Sequence, residues 1–180
     1  MSDRINKIIQ VISYLLQKEE KMNYTKLIKL VFFADKLHLK TYWNIITWDN
    51  YRALKMGPVA SLTLDIIKIP EDYSLDDQLP FKKDWYDLVE TKKITDFDYL
   101  SETEKNTLDK IYDTFGKFSW NDLVNMTHKC VEWESCNICD WMNYESFFEN
   151  SKWQNAIFDV DDEKVALAKD LFLERFEYEI

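Results

Sequence analysis

Ile5, Ile8, Ile9, Ile12, Leu15 and Leu16 recur three and four positions apart, so residues 4–19 predict an amphipathic helix with one apolar stripe. The charged cluster Lys18-Glu19-Glu20-Lys21 ends it, and Asn23 or Thr25 stands where a second helix, about 25–42, needs a cap. In that helix Leu27, Leu30, Val31, Ala34 and Leu37 share one face, and Ile28, Phe32 and Leu39 line another. Only a narrow polar ribbon remains, carrying Lys26, Lys29, Lys36 and Lys40. The ribbon reads as a solvated face whose lysines pair with nearby acids. A helix apolar over most of its circumference is enclosed by other elements, so this is the expected central helix.

Beyond it the periodicity weakens. Ile45-Ile46-Thr47-Trp48 fits a short extended segment, with a turn at Asp49-Asn50 and a second break at Gly57-Pro58. Val59 to Ile69 reads as a short helix stopped by Pro70, and residues 71–99 as loop with two or three strands. Ser101-x-x-Glu104 and Ser119-x-x-Asp122 are capping-box patterns that open two further helices. The first carries Leu108, Ile111, Tyr112 and Phe115 and closes at Gly116; the second runs to about Lys129. An aromatic-rich section follows from Trp133 to Trp153. Asp161-Asp162-Glu163 then begin a last helix with Val165, Ala168, Phe172 and Phe176 as its stripe. The expected class is α+β, mainly α: one compact helical domain over residues 1–180, built around a central buried helix with a small β element.

Composition sharpens this picture. Hydrophobic residues make up 46% of 180, enough for a substantial core. Two glycines and three prolines are too few for the many turns of an all-β fold. The formal charge of −10 repels phosphate backbones, which makes nucleic acid an unfavourable partner and a basic protein a favourable one. Three cysteines and no leader-like segment predict reduced thiols in the cytoplasm. No apolar run approaches the roughly 18 residues that span a bilayer, so no membrane partner is expected.

Two constellations invite a chemical reading. Asp35 and His38, three apart on the central helix, could form a dyad that activates water, or could satisfy each other within the core. No serine or cysteine stands in a strained turn beside them, so the structural alternative is preferred. His128, Cys130, Cys136 and Cys139 supply four soft ligands in twelve residues, and Cys136-x-x-Cys139 is half of a zinc site. His-x-Cys is an awkward chelating pair, however, and two such pairs commonly lie farther apart; no metal or cofactor is assigned. A small hydrolase or metal-dependent enzyme built on either group is the alternative to a binding protein. Seven tryptophans exceed the ordinary need of one core this size. Trp43, Trp48, Tyr51, Trp85 and Tyr86, where helices give way to loops, are the candidate partner-binding residues.

The order Lys26-Leu27-x-Lys29-Leu30-x-Phe32-Phe33-Ala34-Asp35-x-x-His38, then Trp48-Asp49-x-Tyr51-x-Ala53, then Gly57-Pro58-Val59, resembles the Panacea domain, the SocA-like antitoxin family. Leu123, Thr127-His128 and Trp133 form a second block of the same resemblance. The family usually places proline before that tryptophan, where this chain has Glu132. The resemblance implies a non-enzymatic antitoxin of a bacterial or prophage toxin–antitoxin pair. Its partner would be a protein toxin from an adjacent gene, neutralised by direct contact or delivered to a protease. It also implies scaffold roles for Lys26, Lys29, Leu30, Phe33, Ala34, Asp35, His38, Asp49, Tyr51, Ala53, Gly57, Pro58, Val59, Thr127, His128 and Trp133.

Overall fold

A computed structural model describes residues 2–75, 78–154, 158 and 161–177, with side chains in the last helix described as far as Glu174. Ser2 accepts from the Ile5 N–H and opens α1 (Asp3–Leu16), whose Ile8, Ile12, Leu15 and Leu16 are fully buried. After β1 (Lys21–Asn23), the Asn23 side chain accepts from the Thr25 and Lys26 N–H groups and starts α2 (Tyr24–Tyr42). This is the central helix. From Lys26 to Lys40 every residue is buried, and α4 (Glu102–Phe115), α5 (Trp120–Thr127) and α7 (Asp162–Glu177) pack on it. Phe33 stacks on Phe115 with ring centroids 4.5 Å apart, and Phe32 meets Phe147 edge-on. Both capping boxes form, Ser101 with Glu104 and Ser119 with Asp122. In α7, Ala168 and Phe172 are buried and Val165 half-buried; the Phe176 side chain lies outside the described residues.

The β content is two small antiparallel sheets. β2 (Tyr51–Leu54) and β3 (Gly57–Ala60) form a hairpin across Lys55-Met56. β4 (Phe81–Asp84) and β5 (Asp87–Glu90) form another across Trp85-Tyr86, and β1 adds to the far side of β5. A short helix α3 (Ser61–Lys68) follows β3, and α6 (Val131–Glu134) follows α5. The fold is α+β and mainly α.

Three local expectations are corrected. Ile45, Ile46 and Thr47 are buried but belong to no strand, because the Thr47 N–H and hydroxyl are drawn to the Asp35 carboxylate on α2. Asp49 makes no simple turn: its carboxylate accepts from the Leu62 N–H (2.9 Å), the Thr63 N–H (2.7 Å) and the Thr63 hydroxyl (2.7 Å), capping α3 from outside the helix. Gly57-Pro58 is not a break but the start of β3, so α3 begins at Ser61 rather than Val59. Pro58 is tolerated there because its partner Ala53 turns its own N–H and C=O away, to Asp140 and Cys139.

Candidate functional site

The Pro58 carbonyl also points away from β2, and it accepts from the Lys29 ammonium at 2.6 Å. Lys29 is fully buried, and desolvation pulls it down to about 7 from an ordinary 10.5. Gly57 sits directly above it at φ +86°, a conformation that suits glycine. A Cβ there would lie 3.1 Å from Lys29 Nζ and inside van der Waals contact with the Thr127 hydroxyl. Lys29, Gly57, Pro58 and Thr127 therefore converge from α2, β3 and α5. Beside them the His128 ring stacks on Trp133 at 4.2 Å, and Trp133 Nε1 donates to the Leu54 carbonyl at 3.2 Å, tying α6 to the β2–β3 hairpin.

Asp35, Asp49 and Tyr51 make a second buried group. The Asp49 N–H donates to the Thr47 hydroxyl (3.2 Å), which donates to Asp35, and the Tyr51 hydroxyl donates to Asp35 at 2.8 Å. Burial raises the Asp35 carboxyl to about 6 despite these hydrogen bonds. The network joins α2, β2 and, through Asp49, α3.

The polar ribbon of α2 is corrected most strongly. Lys26, Lys29, Lys36 and Lys40 are all buried rather than solvated. Their acids are real in two cases: Lys26 bonds Glu19 at 2.5 Å, and Lys36 bonds Glu132 at 2.9 Å with both side chains fully enclosed. Burial lowers the Lys36 and Lys40 ammonium groups, Lys40 to about 8. Lys36 also donates to the Glu149 carbonyl at 2.5 Å, and Gln154 Nε2 donates to Glu132 at 3.4 Å. Glu132, standing where the family pattern has proline, is thus the counter-ion of a lysine 96 residues away in sequence.

Asp35 and His38 do not meet. With Asp35 held by Thr47 and Tyr51, His38 Nδ1–H donates to the Asn44 carbonyl at 2.7 Å and Nε2 accepts from Thr103 at 3.4 Å. Neither the dyad nor their mutual satisfaction forms. His128, Cys130, Cys136 and Cys139 do not gather either: among the described residues no three metal-ligating side chains come together. Cys130 is buried, donates to the Met126 carbonyl and accepts from Gln154, and burial pushes its thiol far up; Cys139 is exposed.

The five candidate aromatics divide. Tyr51 is 1% exposed and lies in the core, so it offers no surface, and Trp48 is half-buried against the same core. Trp85 and Tyr86 are 86% and 64% exposed at the β4–β5 tip, while Trp43 is exposed at the opposite end of α2. Tyr86 stacks on Tyr24 and lines a groove of about 740 Å³. The first turns of α2 (Tyr24, Ile28, Lys29) and Val59 of β3 also line it. Met56, Trp120 and Ile138, all exposed, stand at its margin. The groove has no signature in hydrophobic periodicity, because its walls come from segments far apart in the chain.

The fold is mainly helical, and two of the family-pattern residues, Lys29 and Val59, line its apolar groove. The family model described as antitoxin SocA-like, Panacea domain, matches residues 27–134. That is more than half of the 180 residues, and the chain belongs to this family. The match supports a general role in a toxin–antitoxin pair. Neither the curated proteins nor the solved structures offer a match to the chain. Among the described residues no helix is long and apolar enough to cross a membrane.

Proposed function

We propose that this chain neutralises a cognate protein toxin, the product of an adjacent gene, by direct contact through the apolar groove and its aromatic margin. The observation that carries the reading is the grouping of Trp85, Tyr86, Met56, Trp120 and Ile138, all exposed, on or next to the lining of one concave surface. Contiguous exposed apolar surface of this kind marks an interaction site, and aromatic anchors supply most of the binding energy at such sites. The buried motif residues fit a supporting role: Lys29 and Val59 form part of the groove's lining, while Gly57 and Thr127 hold the hairpin against α2 and α5.

Co-expression of the tagged chain with the neighbouring gene product tests this. A stable complex through affinity capture and gel filtration is expected, with toxin accumulating in bound form. Toxin that disappears in the presence of the chain, and is restored in protease-deficient cells, would replace neutralisation with delivery to a protease. A neighbour that never co-purifies would remove the reading.

A further inference from the structure

The charge of the groove runs against the charge of the molecule. The chain carries 33 acidic and 23 basic residues, yet the groove lining contains two exposed lysines, Lys55 and Lys68, beside the buried Lys29, and no carboxylate. Among the described residues neither exposed lysine is neutralised by a carboxylate within 4.0 Å, unlike Lys26 in the first turn of α2, which Glu19 pairs. Lys29 Nζ donates to the Pro58 carbonyl beneath the groove, Lys68 lies 5.4 Å over the Tyr24 ring, and the Lys55 side chain is exposed on the hairpin turn. The groove also faces the first turn of α2, the positive end of that helix's dipole. A cationic, otherwise apolar concavity on an acidic protein favours an apolar occupant that brings negative charge.

The occupant extends past the cavity. Trp85 stands outside the lining on the same hairpin tip as Tyr86, and Met56 and Trp120 are themselves exposed at the margin. These offer contact to the flanks of a longer chain, which a molecule confined to about 740 Å³ would leave unused.

We propose that the groove seats an apolar segment of the toxin that carries a carboxylate, with Lys55 and Lys68 as its ionic partners. This rests on the antitoxin reading. The acidic surface elsewhere then attracts the body of a basic toxin, while the groove selects one acidic, apolar stretch of it.

Two measurements on the full chain separate this inference from the reading beneath it. In the first, dissociation of the neighbouring gene product is compared among wild type, Lys55→Glu/Lys68→Glu, and Lys152→Glu/Lys164→Glu, an equal charge change at exposed positions outside the groove lining. The groove pair should weaken the complex by about tenfold or more, chiefly through faster dissociation, and the control pair by less than about twofold. In the second, which needs no partner, native protein is titrated with anilinonaphthalene sulfonate, an apolar anion, and with Nile red, an uncharged apolar dye. The anion should bind to wild type and be lost from Lys55→Glu/Lys68→Glu, whereas Nile red should be unaffected. A folded groove variant that holds the toxin as tightly as wild type, or an anion that binds both proteins alike, overturns the proposal and leaves the antitoxin reading standing. If the neighbour binds no form of the chain while the dye preference behaves as stated, the antitoxin reading fails and the anion-selective groove stands as a site for some other acidic, apolar chain.

Discussion

Replacing Gly57 with alanine adds one methyl group at the point where α2, β3 and α5 meet. Two costs follow. At φ +86° any L side chain meets backbone strain of about 1–2 kcal/mol. The new Cβ also intrudes on the Thr127 hydroxyl and lies 3.1 Å from Lys29 Nζ. Neither neighbour has free room, because both residues are fully buried, Thr127 donating to the Val124 carbonyl and Lys29 to that of Pro58. Overpacking of this kind costs about 1–3 kcal/mol. The sum, about 3 kcal/mol, lowers the melting temperature of a chain this size by roughly 10 °C. Thermal melts followed by circular dichroism read it directly. The double-mutant cycle with Thr127→Ala isolates the steric part. That change alone removes one hydrogen bond, about 1 kcal/mol, but it also removes the atom that Cβ strikes. The pair should therefore be more stable than the sum of the singles by about 1–2 kcal/mol. A Gly57→Ala protein that melts with wild type, or a strictly additive cycle, would refute the packing argument. Unchanged stability with loss of toxin binding would instead place the hairpin turn in the interface.

Glu132→Ala should destabilise by about 3–5 kcal/mol in urea, since it strands the enclosed Lys36 ammonium, and Lys36→Met with Glu132→Leu should recover most of the loss. Stability should rise between pH 7 and about 10, where the unfolded chain binds the Lys29 proton that the native state has released, and this contribution should be lost as pH falls through 7. Lys29→Met should flatten the part of that rise due to Lys29, leaving the part due to Lys36 and Lys40; an unchanged slope in denaturation series across that range would show that Lys29 is not held neutral. Trp85→Ala, at an 86% exposed position, should shift stability by no more than about 0.5 kcal/mol yet speed dissociation of the toxin complex, and unaltered dissociation would move the interface off the hairpin tip.

Elements whose signals are local were legible in the chain. The α1 stripe, the two capping boxes and the Asn23 cap each depend on residues within one or two turns, and each appears where the spacing puts it. The enclosed character of α2 was legible too, because its apolar positions cover most of the helix circumference. What misled was treating lysine as a mark of solvent. Lys36 is buried because Glu132 and the Glu149 carbonyl wait for it across the fold, and no window around position 36 contains either. Asp35 and His38 failed as a pair for a related reason: helical spacing permits contact but does not exclude better partners, and Thr47, Tyr51 and Asn44 were better placed. β1 escaped notice because three residues, Lys21 to Asn23, are too few to show alternation, and their strand character exists only against β5. The groove was least legible, since its lining comes from α2, both hairpin tips, α3, the start of α5 and the Ile138-Cys139 loop.

The central claim is met most directly by growth of cells that express the adjacent gene alone or together with this chain. Neutralisation predicts arrest with the neighbour alone, full growth with both, and renewed arrest when the groove carries Lys55→Glu/Lys68→Glu at undiminished protein level. A neighbour that is harmless alone, or that arrests growth equally in the presence of the wild-type chain, would contradict the account.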